Sequence, residues 1–406
     1  MSVSPPPAAT AAIPRDRTAP PPTAGVLLVV GFVLVSLNTR VSFGQIGPLA
    51  PVAGFSPAIV SLLGLLPPLC MGAFAPLAAV IRRLLGEERG LWWASVVLVA
   101  GAVLRMLGLP GLLAGTVVVS AATAVVNVLI PVLVRKRFPR ERVGTMMGVY
   151  ALAMGAGSAL VAAVVAPVAQ ATGNWQAAIG LAVIPAVLAA AGMTPQLPHR
   201  PPLAVAETSY SGTEPTGRPH VARTALAWSL TAFFGIQTLA FYTTLAWLPS
   251  VLVQAGLSRG AAGAGQALLI CGVAAGGFIA PVLAARRADQ RPHILATILV
   301  CAIGFTGLLL APAGTSMVWV VILGIGLGSG QALPGVLYSH RGHDHDHVAA
   351  LSTMAQTCGF LLAATGPVLA AALHTATGTW TAPLTGLTAA LLVCAATSLR
   401  AGHDPT

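Results

Sequence analysis

Runs of about 20 apolar residues follow one another along the whole chain, separated by short polar stretches, and none contains an aspartate or glutamate. Wound as a helix, a run of that length spans the hydrocarbon of a bilayer. Twelve are present, at about 24–49, 57–81, 90–108, 110–134, 143–169, 174–194, 224–252, 258–285, 293–312, 314–338, 348–373 and 378–399. They are too long for membrane strands and lack two-residue alternation, so a β-barrel is excluded. With 56% hydrophobic and 8% charged residues, the chain has too little polar surface to cover itself in water. The expected class is an all-α membrane protein with twelve transmembrane helices.

The basic residues give the orientation. With the N-terminus in the cytoplasm, 18 of the 21 Lys and Arg fall on the cytoplasmic side, leaving Arg40, Arg105 and Arg259. That bias is the one required of inner loops, so the net charge of +11 reads as a topological signal and contact with anionic lipid. Nucleic acid is not an expected partner. The five cysteines all lie inside apolar runs and their odd number gives no disulfide framework. The proline-rich start is expected to be a disordered cytoplasmic tail.

The chain repeats itself. At an offset of 205, Ala75-Pro76 matches Ala280-Pro281, Arg82 matches Arg287, and Ala171–Trp175 matches Ala376–Trp380 in the pattern A-T-G-x-W. Several agreements at one spacing indicate two copies of a six-span unit. The expected divisions are a tail at 1–23, a six-helix bundle at 24–194, a cytoplasmic linker at 195–223, a second bundle at 224–400 and a tail at 401–406. Two parallel bundles joined on the cytoplasmic side are arranged like facilitator transporters, which bind substrate between halves that rock.

Arg40 stands about 16 residues into the first span, too deep to reach the surface easily. An unpaired arginine at a helix centre costs roughly 2.5–3.5 kcal/mol on insertion scales, so it faces water or a partner, and no acid is available in any span. At 100° per residue it shares a face with Ser36, Gly44 and Gly47; Asn38, Ser42 and Gln45 form an opposite polar stripe. One stripe is expected to line a cavity while the other bonds a neighbouring helix. Arg40 either caps carbonyls of a helix broken near Pro48 or is the positive pole of a site for an anionic or polar molecule; we favour the second. Asn127 and Tyr150 follow faces of the fourth and fifth spans, Gln237 and Tyr242 lie in the seventh, and Gln331 and Gln356 occupy the matching places of the second half. These eight residues form the expected substrate-binding set.

Four stretches also carry a family resemblance. LNTRVSFGQIGPL (37–49), NVLIPVLVRKRFP (127–139), FGIQTLAFYTTLAWLPSVL (234–252) and ALSTMAQTCGFLLAATGP (350–367) resemble the cyanate/nitroimidazole permeases of the major facilitator superfamily. The resemblance implies the major facilitator fold and transport of a small polar compound, cyanate or a nitro-heterocycle, across the bacterial plasma membrane. It maps N-x-R onto Asn38 and Arg40, N-x-x-x-P onto Asn127 and Pro131, Q-x-x-x-x-Y onto Gln237 and Tyr242, and M-A-Q onto Met354–Gln356. The superfamily's loop pattern G-x-x-x-D-R-x-G-R is incomplete: APLAAVIRRLLGEERG keeps Arg82, Arg83 and Gly86 but lacks the aspartate, so the salt bridges of other facilitators do not transfer directly.

The loop SHRGHDHDHVAA, 339–350, interleaves His340, His343, His345 and His347 with Asp344 and Asp346. It reads as a solvated loop that starts a helix, with pH sensing as a further possibility; metal transport is disfavoured because no ligands continue into the spans. His374, Arg105, Trp175 and Trp380 are expected at the membrane interface. No cofactor and no metal are expected, no HExxH or GxSxG motif suggests an enzyme, and one chain is expected to suffice as a monomer. The alternative to solute transport by a site around Arg40 is proton-driven export of drug-like molecules, which ordinarily uses a carboxylate in the cavity.

Overall fold

A computed structural model describes residues 22–197, 221–287, 289–310 and 313–402, which are helical with short connections. The expected tails and the middle of the linker lie outside these residues. In chain order the helices are α1 (Pro22–Asn38), α2 (Val41–Gly44), α3 (Ile46–Ala53), α4 (Pro57–Phe74), α5 (Leu77–Leu104), α6 (Gly108–Arg137), α7 (Arg140–Thr172), α8 (Trp175–Gly180), α9 (Val183–Met193), α10 (Ala225–Gln254), α11 (Arg259–Ala284), α12 (Arg291–Leu310), α13 (Ser316–Arg341), α14 (His345–Thr377) and α15 (Thr381–Gly402).

Twelve spans are assembled from these pieces. Among the described residues nine helical segments are long and apolar enough to cross a membrane unaided. The others follow from two local breaks and a short final helix. α4 and α5 meet at a 66° bend next to Pro76, and α5 is itself divided at Gly86, whose φ of 78° favours glycine. The chain therefore crosses before Gly86 and returns after it. α15 contributes a shorter apolar stretch, Thr381–Ala396.

The duplication is visible in the caps. Gly256 and Ser258 stand 202 residues after Gly54 and Ser56; both glycines have positive φ, and both serines accept a hydrogen bond from a first-turn amide, that of Ile59 or Ala261. α7 and α14 each have 33 residues and end on a left-handed glycine, Gly173 or Gly378, where an αL residue lets a helix stop cleanly.

The halves meet through α7 against α11 and through α14 against α4 and α6. Contact is close toward the end that carries the basic residues, where a β-carbon on Gly148 would lie 2.9 Å from the Phe278 carbonyl and Ser339 donates to the Pro131 carbonyl at 3.5 Å. α3, at the other end, packs on α2, α4, α7 and α8 of its own half.

An ion network fastens the basic end. Lys136 reaches Glu87 at 2.8 Å and Glu88 at 3.3 Å, Arg137 reaches Glu88 at 2.7 Å, and Arg82 bonds both Glu87, at 3.2 Å, and Asp346 of the other half. The carboxylate missing before Arg82 is thus supplied from after Gly86. Burial works to raise the Glu87 carboxyl, but hydrogen bonds from Lys136 and Arg82 outweigh it and hold it below its ordinary 4.5. A depressed folded value means that this stabilisation is complete above about pH 4.5 and fades as pH falls below it. Glu87→Gln is expected to lower the melting temperature at neutral pH, removing about 1.5 kcal/mol or more, and to flatten the acid limb of a stability profile. An unchanged acid limb would reject the assignment.

The histidine loop joins the same end. Asp344 caps α14 by accepting from the His347 amide at 2.7 Å, and the His343 and His347 rings stack at 5.0 Å. Burial and His343 push His347 below the ordinary imidazole value, with Asp344 opposing. Among the described residues no three His, Cys, Asp or Glu are placed to hold a metal.

Candidate substrate site between the halves

The first span is broken where its charge lies. α1 closes at Asn38, with Ser36 and Thr39 hydroxyls donating back to the Phe32 and Val35 carbonyls, and Arg40 takes φ −117° and ψ 0° before α2 begins. The Arg40 carbonyl accepts from the Phe43 and Gly44 amides, which restarts the helix. Gly157 and Ser158 of α7 press on this break, and a β-carbon at Gly44 would collide with Ser158. Among the described residues no hydrogen bond from the Arg40 guanidinium to a carbonyl is present.

Instead the guanidinium carbon lies 5.8 Å from the ring centres of both Phe241 and Tyr242 on α10, in the other half. A cation over aromatic faces gains roughly 0.5–2 kcal/mol, more as water is excluded. Arg40 Nε is buried without a hydrogen-bond partner, while the residue as a whole is only half-buried. The site therefore holds a positive charge against polarisable rings, and among the described residues no carboxylate pairs with it.

A polar chain runs beside it. Tyr150 donates to Asn127 Oδ1 at 2.7 Å, and Gln356 of the second half donates to the Asn127 carbonyl at 3.0 Å and to Ser352 Oγ at 2.9 Å. Tyr150 is in electrostatic contact with Arg40 and Tyr242. Phe360, one turn beyond Gln356, approaches Tyr242 at 6.5 Å and Phe234 at 5.2 Å. The geometry thus brings Arg40, Asn127, Tyr150, Tyr242 and Gln356 together. It adds Phe241 and Phe360, which residue-by-residue reading passed over because an apolar ring in an apolar span carries no signal of its own.

Three predicted members sit differently. Gln237 is fully buried inside the second half, where its carbonyl oxygen faces the Cys301 thiol at 3.7 Å and its side chain lies on Gly330. Five residues separate it from Tyr242, about 140° around the helix, so the two face different neighbours. Gln331 donates to Thr238 Oγ1 at 3.2 Å, one turn before Tyr242. Asn38 is 4% exposed on the face opposite Arg40, its amide nitrogen buried without a partner. That stripe does bond a neighbour: Gln45 donates to the Ile179 carbonyl at 2.9 Å and accepts from Arg105 at 2.9 Å. Arg105, expected at the interface, is fully buried. Its place at the carboxyl end of α5, between α6 and the turn after α8, hides it from the membrane surface. Trp380 is likewise 8% exposed and packed among side chains.

Comparison with known proteins follows the same lines. The sequence profile of the Major Facilitator Superfamily matches residues 28–367. The chain is 34% identical over 384 residues to the 2-nitroimidazole transporter of Escherichia coli (strain K12), covering 93% of this chain and 96% of that one. It is 27% identical over 363 residues to the cyanate transport protein CynX of the same organism, covering 87% and 91%. In three dimensions it superposes on the proton:xylose symporter XylE with a TM-score of 0.71 at 15% identity, over 92% of this chain and 94% of that one, a likeness of fold alone.

Proposed function

The chain belongs to the major facilitator superfamily and is a secondary transporter of small solutes across a membrane, and from that premise we propose that its solute is a small planar anion or polar nitro-heterocycle held at Arg40. The observation that carries this reading is an arginine between the halves with aromatic faces around it and no acid partner. A guanidinium offers a planar fork of donors that suits a carboxylate-like or nitro group, and the rings of Phe241 and Tyr242 accept a flat ligand beside it. The relatives named for 2-nitroimidazole and cyanate agree with a ligand of that size and shape.

Alternating access supplies the mechanism. With the basic end closed, the site is reached from the opposite end; breaking the Arg82–Asp346 bridge and parting α7 from α11 exposes it to the basic side. The positive-inside bias supports a cytoplasmic basic end in a bacterial inner membrane, with both termini on the cytoplasmic side, and an outward-facing sense for the described conformation. One chain contains both halves, so a monomer suffices, and the protein moves its solute without chemical change.

Ligand-dependent thermal stabilisation of the purified protein tests the reading, because a ligand bound to the folded state raises stability by RT ln(1 + [L]/Kd). Cyanate is expected to raise the melting temperature in the native protein and not in Arg40→Ala. A shift that survives in Arg40→Ala would return Arg40 to a structural role.

Proton-driven drug export gains no support, since the site contains no carboxylate to load and unload a proton. Collapsing the pH gradient at constant membrane potential is expected to change uptake by no more than about twofold, well under the 1.4 kcal/mol that a tenfold effect represents. Uptake that stops under those conditions would count against the scheme.

A further inference from the structure

Two tryptophans and a histidine form a stack at the end of the second half that faces away from the basic residues. Trp247 of α10 and Trp380, just before α15, lie 5.3 Å apart at 37°, and His374 of α14 stacks on Trp380 at 4.2 Å and 28°. The stack borders an open cavity of about 620 Å³, with Ser250, Gln254 and Thr375 on its rim. Pockets of this size hold small organic ligands.

The rings are held in place before anything binds. Trp247 donates its indole N–H to the Pro367 carbonyl at 2.9 Å, Gln254 donates to the Gly378 carbonyl at 2.9 Å, and Trp380 is 8% exposed. An interfacial anchor has less need of such fixing.

The duplicated half offers a comparison. Trp175 occupies the repeat position of Trp380, but it meets Phe55 edge-on at 78°. At the offset of 205, His374 corresponds to Ala169; at the offset of 202 set by the serine caps of α4 and α11, Trp247 corresponds to Gln45. The tryptophan after the A-T-G motif is common to both halves, whereas the rings that turn it into a stack are not. Helix termination accounts for the shared part and leaves the stack unexplained.

We propose that this cavity is a second binding site, for flat heteroaromatic molecules, lying apart from the Arg40 site and offering the exposed parts of the Trp247 and His374 rings, held by the buried Trp380, where that site offers charge. The inference deepens the functional reading above, in that a transporter of nitro-heterocycles would collect its solute here before it reaches the site between the halves. Stacking and edge hydrogen bonds from the rim select a planar ring; nothing here selects a small linear anion such as cyanate.

The test uses the purified full-length protein and 2-nitroimidazole as probe, followed by quenching of tryptophan fluorescence. Saturable quenching is expected to persist in Arg40→Ala, and to require roughly five- to tenfold more probe in His374→Ala, which removes one stacking partner. Trp380→Phe keeps a flat ring and should retain binding, reported by Trp247, whereas Trp380→Leu should not. Because His374 is half-exposed, its alanine variant remains informative if Trp380→Leu fails to fold. Saturable quenching lost in Arg40→Ala and unaffected in His374→Ala would place the only heterocycle site between the halves and overturn the proposal. Linear, non-saturating quenching equal in all variants would overturn it too. Uptake of labelled cyanate in His374→Ala separates the two readings: it should be unchanged if the Arg40 site works independently, whatever happens to the stack.

Discussion

Arg40→Ala is expected to weaken binding of a small anion such as cyanate severely while the protein still folds. The guanidinium makes no ion pair and lies against rings contributed by the opposite half, so its removal leaves no buried acid without a partner. What is lost is the one positive group that the described residues place at the proposed site. Hydrogen bonds to a charged group contribute about 1.5–3 kcal/mol, which corresponds to roughly a tenfold to 150-fold fall in affinity. Arg40→Lys is the sharper variant, because it keeps the charge and loses the planar fork; roughly tenfold weaker binding is expected, with normal yield of folded protein. Titration calorimetry or thermal shift on purified variants gives both numbers. Equal affinity in Arg40→Lys would show that charge alone suffices, and equal affinity in Arg40→Ala would remove the residue from the site.

The second large effect is expected at Gly144. Near the basic end this glycine of α7 faces Ala285 and the Pro281 carbonyl of the other half, where an added β-carbon has no room. The obstacle includes backbone, so a side-chain rotation does not relieve it. At Gly72 an added β-carbon would likewise meet the Leu361 amide and the Thr357 carbonyl, at 2.9 and 3.0 Å. Gly144→Val should therefore disfavour only the arrangement in which the basic end is shut. Overpacking of this kind costs about 1–3 kcal/mol, enough to shift a two-state population by roughly fivefold to more than 100-fold. Ser339 is fully buried at this end and gives a reporter. With the five native cysteines replaced by alanine, Ser339→Cys should react slowly with a water-soluble thiol reagent and at least about tenfold faster when Gly144→Val is added. Transport should fall in parallel. Unchanged labelling would show that this end is not a moving contact.

Much of the architecture was legible in the sequence because hydrocarbon imposes a length on every crossing. The run lengths, the basic bias and the repeated A-T-G-x-W each report a constraint that acts locally. The breaks were harder to read. The run lengths already separated the second and third crossings between residues 81 and 90, but neither the turn at Gly86, made by its positive φ, nor the break of the first span at Arg40 is readable from run length.

The candidate site was legible in part. Arg40, Asn127, Tyr150, Tyr242 and Gln356 are polar groups in apolar spans, and that cost marks them out. Gln237 and Arg105 are polar groups in apolar spans too, yet both are buried inside one half, beside Cys301 and Gln45 respectively, so polarity by itself does not separate cavity from core. Phe241 and Phe360 illustrate the reverse limit. Their part depends on which face of a helix meets Arg40, a fact of packing between segments about 200 and 320 residues away from it in sequence.

The missing carboxylate has an electrical consequence. An empty carrier moves the charge of Arg40 with it when it reorients, whereas a carrier loaded with a monovalent anion is close to neutral at the site. A membrane potential acts on a full elementary charge with about 2.3 kcal/mol per 100 mV, and on part of that if the charge crosses only part of the field. On the proposed Arg40 scheme, an inside-negative membrane is expected to hold the empty carrier facing inward and to drive a bound anion out. A neutral heterocycle leaves the same charge on both legs of the cycle, so voltage changes its rate of exchange without setting its direction.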